Sequence, residues 1–229
     1  MDDAGAATTA RGDAPGGAVP SPGRVRAVIF DHGGVVTLPS ERVLATFPER
    51  FGMSLGEFRA AVGRAGARLG RNPMVEIEIG RISQDEFRRQ VEPDLPPGAH
   101  LDGFEAGFHE HQEPNRPVLA LATTLRRKGY RTAVVANSAL EWGPLWRGRI
   151  PDIDAAFDLA LSSADVASRK PDPRIYEVLT ERLATPADGC LVIDDKDENC
   201  ATARELGMQT VLFGDTEQAL RDIHAVLTG

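Results

Sequence analysis

The chain has 229 residues, 41% of them hydrophobic and 26% charged, the balance of a globular domain. A formal net charge of -8 excludes a nucleic-acid partner held on a broad basic surface, while leaving room for a small anion in a locally positive pocket. No run approaches the roughly 18 consecutive apolar residues of a membrane helix, so no membrane partner is expected.

The opening, "MDDAGAATTARGDAPGGAVPSPG", is acidic first, small and rich in Gly, Pro and Ala. It lacks the apolar segment of a signal peptide, and residues 1–23 are expected to form a disordered tail. The first apolar run follows, "RAVIF", with the length and β-branched content of a buried strand. Three more come later: "YRTAVVA", "CLVID" and "MQTVLF". Between the first and second runs the pattern turns helical. "SLGEFRAAVGRAG" opens on Ser54 with Glu57 three residues on, a capping box, and "SQDEFRRQV" repeats the device with Ser83 and Glu86. "RPVLALATTLRRKG" and "DENCATARELG" read as helices closed by Gly129 and Gly207. "DPRIYEVLTERLA" and "TEQALRDIHAVL" are helical as well. Strands alternating with helices of this size predict parallel βαβ units, an α/β fold with an all-helical insertion after the first strand. Cys190 and Cys200, without CxxC spacing, predict free thiols and a cytoplasmic protein.

In an open parallel sheet, ligands bind at the carboxyl ends of the strands. Asp31 stands after "AVIF", Asn137 and Ser138 after "AVVA", and Asp194 and Asp195 after "CLVI". Lys170 precedes the rigid turn of "RKPDPRIY". Taken singly, each is as well explained by a turn, a cap or the surface. As an ordered set they suit phosphoryl chemistry. A divalent ion takes hard oxygen ligands, for which Asp31, Asp195 and a backbone carbonyl near Gly33 are candidates. Lys170 would supply fixed positive charge, Asn137 and Ser138 hydrogen bonds to phosphoryl oxygens, and Gly33 and Gly34 close backbone approach. Asp31 is then the candidate nucleophile.

In "VIFDHGGVV", "AVVANS", "RKPDPRIY" and "LVIDDKDENCATARELGM" the chain resembles the haloacid dehalogenase superfamily of aspartyl-nucleophile hydrolases. The resemblance implies a Rossmann-like core at 24–38 and 116–229, and a helical cap at 39–115. It implies Asp31 as nucleophile, Lys170 as the motif lysine, and Mg²⁺ held by Asp31, the Gly33 carbonyl, Asp195 and Asp194, the last directly or through water.

Two positions depart from the family pattern. Gly33 stands where phosphatases of the family carry a second acid, the general acid and base. Ala136 replaces a phosphate-binding Thr or Ser. An Asp-x-Gly branch of the family, with sugar-phosphate phosphatases in it, shares the first departure. The expectation is therefore a magnesium-dependent phosphomonoester hydrolase acting on a small phosphorylated metabolite, with a sugar 1-phosphate as first candidate. A catalytically silent binding protein and a 2-haloacid dehalogenase are the alternatives. His32 is expected to pack or position rather than transfer protons, because neighbours on a strand point to opposite faces. Arg64, Arg68 and Arg71 are the candidate cap contacts to substrate.

Overall fold

The computed structural model describes residues 25–38, 48–110 and 112–229; the tail expected at 1–23 and the start of the expected cap, 39–47, lie outside the described residues. Among the described residues, β1 (Ala27–Asp31) is followed in the cap by α1 (Leu55–Leu69), α2 (Pro73–Glu78), α3 (Gln84–Val91) and α4 (Phe104–Glu110). The chain then runs through α5 (Arg116–Arg127), β2 (Arg131–Ala136), the short α6 (Gly143–Arg147) and α7 (Ile153–Ala156), and β3 (Leu159–Ser162). It ends with α8 (Pro173–Leu183), β4 (Cys190–Asp194), α9 (Asp197–Glu205), β5 (Gln209–Leu212) and α10 (Thr216–Thr228). The strands form one parallel sheet in the order β3-β2-β1-β4-β5. This is an α/β fold with a parallel core sheet and an inserted helical cap.

Strand alternation builds a core on each side of the sheet. Val28 and Phe30 of β1 pack with Val118, Ala122 and Leu125 of α5 and Ile223 of α10. Ala27 and Ile29 face the other way, onto Ile175, Tyr176 and Leu179 of α8 and Ala203 of α9. The cap has a third core of its own, centred on Phe58, Phe87 and Phe104, and Ala139 and Trp142 of the main body complete it.

The Ser54–Glu57 capping box is fully formed, and Ser83 accepts from the Glu86 N–H. The return half of the second box is replaced: the Glu86 carboxylate binds Arg89 and Gln90 instead. One strand was not expected from the sequence. β3 is four residues long and lies at the sheet edge, with Leu159 and Ala160 only partly buried, so its sequence "LALS" carries little of the apolar signal of a central strand.

Both thiols are buried, and burial pushes Cys190 up to about 12 and Cys200 up to about 11. Iodoacetamide at pH 8 is therefore expected to leave the folded protein unmodified and to alkylate both thiols in urea. Rapid labelling of either in the native protein, read by mass, would contradict this packing. No helix among the described residues is long and apolar enough to cross a membrane.

Two connections place the cap. Its outgoing and returning segments pair with each other: Leu38 N donates to Glu113 O and Asn115 N to Val36 O, both at 2.8 Å, around a bridge between Thr37 and Pro114. On the far side, Trp142 Nε1 donates to Gln84 Oε1 at 2.8 Å and Arg169 Nε lies 2.7 Å from Glu78 Oε2.

Candidate active site

The chain passes β1, β2 and β3 in one direction and then crosses back to β4, so the sheet's switch point lies between β1 and β4. That crevice is where an open α/β sheet binds ligands. Asp31 ends β1 and Asp194 ends β4, and Ile193 pairs with Phe30 across the gap. One carboxylate oxygen from each of Asp31, Asp194 and Asp195 lies within 4.8 Å of the others.

Lys170 enters between two of these acids. It is 2% exposed, and its ammonium donates to Asp31 Oδ1 and, at 2.7 Å, to Asp194 Oδ2. The other Asp194 oxygen accepts from Lys196 N at 3.0 Å and from Asn199 Nδ2 at 2.8 Å. Asp194 is thus tied down on both oxygens, whereas Asp195 is exposed. Two acids share one cation, and the electrostatics follow. Burial pushes the Asp31 carboxyl up to about 6, Lys170 opposes this, and Asp194 adds to it. Burial works to lower Lys170, but the Asp31 and Asp194 charges overcome it and hold the ammonium well above the usual lysine range. Asp195 is raised, by burial first and by Asp194 second.

A cavity of about 260 Å³ opens over these groups, lined at its base by Asp31, His32, Gly33, Asn137, Ser138 and Lys170. Leu55, Phe58, Met74 and Phe104 of the cap and Trp142 line it elsewhere. Asn137 spends its side-chain amide on Lys170: Nδ2 donates to the Lys170 carbonyl and Oδ1 accepts from the Lys170 N–H, both at 2.9 Å. It is a clamp that aims the lysine. Ser138 turns inward, its N–H on Ser163 Oγ and its hydroxyl on Ala139 O. Gly34 lies outside the lining. Its φ is +90°, and a Cβ there would stand 2.9 Å from Asp195 Oδ2, so the bare backbone is what lets the β1 turn approach that carboxylate. A Cβ at Gly33 would meet nothing within 4 Å.

His32 continues the alternation of β1 and packs on Trp146 with ring centroids 4.9 Å apart, on the opposite side of the sheet from Asp31's neighbours Ala27 and Ile29. Burial drives its imidazole down to about 3, with His109 next, so it is neutral. The arginines expected to reach substrate do not line the cavity. Arg64 donates to the Asp94 carbonyl and Arg68 pairs with the Asp94 carboxylate at 2.7 Å, while Arg71 is exposed. Several residues of the site went unread in the sequence: His109, Gln112 and Glu78 of the cap region, and Lys196 and Asn199. Asn199 carries a legible signal, since the fifth residue after a strand-end acid sits in the first turn of α9 and can reach back to it.

A family model for haloacid dehalogenase-like hydrolases matches residues 25–207. The chain belongs to that family. It is 33% identical over 224 residues to the bifunctional epoxide hydrolase 2 of Mus musculus, a match that covers 88% of this chain and 39% of that protein. The chain thus spans well under half the length of that relative. A phosphatase of Mycobacterium tuberculosis is 28% identical over 163 residues, covering 67% of each chain. Among solved structures, a family enzyme of Bacteroides thetaiotaomicron in complex with magnesium and inorganic phosphate superposes with a TM-score of 0.64 at 22% identity, over 84% of this chain and 96% of that one.

Proposed function

We propose that the protein hydrolyses phosphate monoesters with Asp31 as nucleophile and Mg²⁺ as cofactor. The observation that carries this is the carboxylate triad Asp31, Asp194 and Asp195 converging at the switch point with a buried lysine on two of its members. Three hard carboxylates fit a divalent cation such as Mg²⁺, with Asp31 and the exposed Asp195 as direct ligands and Asp194 as the anchored third. The bound ion supplies charge neutralisation that lets an anionic carboxylate approach an anionic phosphate. The bound magnesium and phosphate of the Bacteroides enzyme and the phosphatase from Mycobacterium support the same reading.

The chain's own groups divide the remaining work. The Lys170 ammonium favours the ionised form of Asp31 against its burial and would supply positive charge to phosphoryl oxygens, and Asn137 fixes its main chain. The cap covers the base of the cavity and restricts water there. Its lining also speaks to the substrate. Beside the polar Glu78, His109, Gln112 and Lys196, the lining carries an apolar wall of Leu55, Phe58, Met74, Phe104 and Trp142, which offers few hydrogen bonds to the hydroxyls of a sugar phosphate. An ester whose alcohol is apolar or aromatic fits this wall better than a sugar 1-phosphate.

The test is phosphate release from 1-naphthyl phosphate and from a sugar 1-phosphate, with Mg²⁺ and with EDTA. Magnesium-dependent release, with kcat/KM at least about tenfold higher for the aryl ester, is expected from burying its ring. Preference for the sugar ester would overturn the substrate reading. No release across a broad ester panel would overturn the phosphatase itself in favour of a binding role, and halide release from 2-haloacids without Mg²⁺ would favour a dehalogenase.

A further inference from the structure

Gly33 leaves the β1 turn without a proton-transfer group, and its neighbourhood is open space. Hydrolysis through Asp31 still needs a proton for the departing oxygen and a base for the attacking water. Among the cavity-lining groups, Glu78 is committed to its ion pair with Arg169, and His32 is held neutral against Trp146.

His109 differs in placement. It lies at the end of α4, is 4% exposed, and lines the same cavity as Asp31 and Gly33. The pairing of 36–38 with 113–115 fastens the segment that follows α4 to the one that leaves the Gly33–Gly34 turn, so His109 stands close in sequence to that anchor. Its tautomer is set too. Nδ1 lies 2.9 Å from Gln112 Oε1, an oxygen that can only accept, so Nδ1 carries the hydrogen and Nε2 is the basic nitrogen. Gln112 is itself buried and lines the cavity.

We propose that His109, positioned by Gln112, is the general acid and base of this site and replaces from the cap the carboxylate that Gly33 lacks. The inference rests on the phosphatase reading above. In the first half, Asp31 forms a bond to phosphorus, the P–O(alcohol) bond breaks, and the departing oxygen takes the proton from His109 Nε2. In the second, a water oxygen bonds to phosphorus and gives its proton to Nε2. The P–O(Asp31) bond breaks with its electron pair returning to the carboxylate. The imidazolium is then ready for the next ester, and water is the only co-reactant. Burial holds the His109 imidazole below its ordinary value. Gln112 opposes this, the Arg149 charge adds to it, and Glu105 opposes it; the His109 charge in turn lowers His32. The lowered value suits the base step, and the acid step uses the proton that Nε2 took from water in the preceding turnover.

The experiment uses p-nitrophenyl phosphate, whose leaving group needs no proton. In His109→Gln, attack by Asp31 should survive and the water step should fail. We expect a burst of about one p-nitrophenolate per protein chain, phosphate retained on the protein, and steady turnover about 10²-fold below wild type. Gln112→Leu, which removes only the positioning contact, should give a smaller loss of the same kind. Adding Gly33→Asp to His109→Gln fills the open space with the missing carboxylate and should recover turnover to within about tenfold of wild type. Wild-type turnover in His109→Gln would overturn the proposal. So would parallel loss of burst and turnover that Gly33→Asp does not repair, the mark of a structural role. A wild type that never releases p-nitrophenolate overturns the phosphatase reading instead.

Discussion

Lys170→Met is expected to abolish turnover and to destabilise the protein by about 3–5 kcal/mol in EDTA. Lys170 is 2% exposed and is the cation shared by Asp31 and Asp194, which are themselves buried. Methionine fills the volume and removes the charge, so two carboxylates are left facing each other in a dry site. The penalty is the exposure of that repulsion, not the loss of an ordinary surface pair. Catalysis loses the charge beside the phosphoryl oxygens, a loss on the order of 10³-fold. Lys170→Arg should not restore activity, because the guanidinium fork does not fit a slot shaped by the Asn137 clamp around a point charge. Urea unfolding and phosphate release on the same samples check this. A methionine variant as stable as wild type would show that Lys170 is not the compensating charge.

Asp31→Asn should also abolish turnover, with the opposite effect on stability. Two buried acids, Asp31 and Asp194, share one buried cation, with the exposed Asp195 beside them. Neutralising Asp31 leaves Lys170 and Asp194 as a balanced pair. Burial raises the Asp31 carboxyl from 3.8 to about 6, so above pH 6 the fold holds a charge it disfavours. At pH 7.5 in EDTA the asparagine variant is expected to be more stable than wild type by about 1–3 kcal/mol. An acid raised in the fold loses its penalty as it protonates. The gap should therefore shrink as pH falls from about 6 toward 3.8. Unfolding curves at pH 7.5 and pH 5 measure it. A variant less stable than wild type at pH 7.5 would show that Asp31 stabilises the fold it serves.

Most of this architecture was legible because it is written in runs of adjacent residues. "AVIF", "AVVA" and "CLVI" are central strands buried on both faces, and the polar residues after them could only stand at the carboxyl edge of the sheet. β3 escaped because an edge strand needs less apolar sequence. In the site, the acids and the lysine were readable by type and order, but their partners were not. The Asn137 amide finds the Lys170 main chain 33 positions away, a pairing with no trace in either segment. His109 acquires meaning only from the pairing of 113–115 with 36–38, which is tertiary. Arg64 and Arg68 looked available because Asp94, which binds them, comes two helices later.

The order of strands also bears on how the protein is made. Ala27 has Arg131 on one side and Cys190 on the other, so β1, made before the other four strands of the sheet, is flanked on both sides only once β4 has been made. At about 5–20 residues per second, a ribosome takes on the order of ten seconds to travel from β1 to β4. Through that interval β1 has an unpaired apolar edge, the kind of surface that invites association between nascent chains. Asp31 meets Asp194 and Asp195 when that edge closes. Assembly of the carboxylate cluster and loss of aggregation risk are one event in the life of the chain.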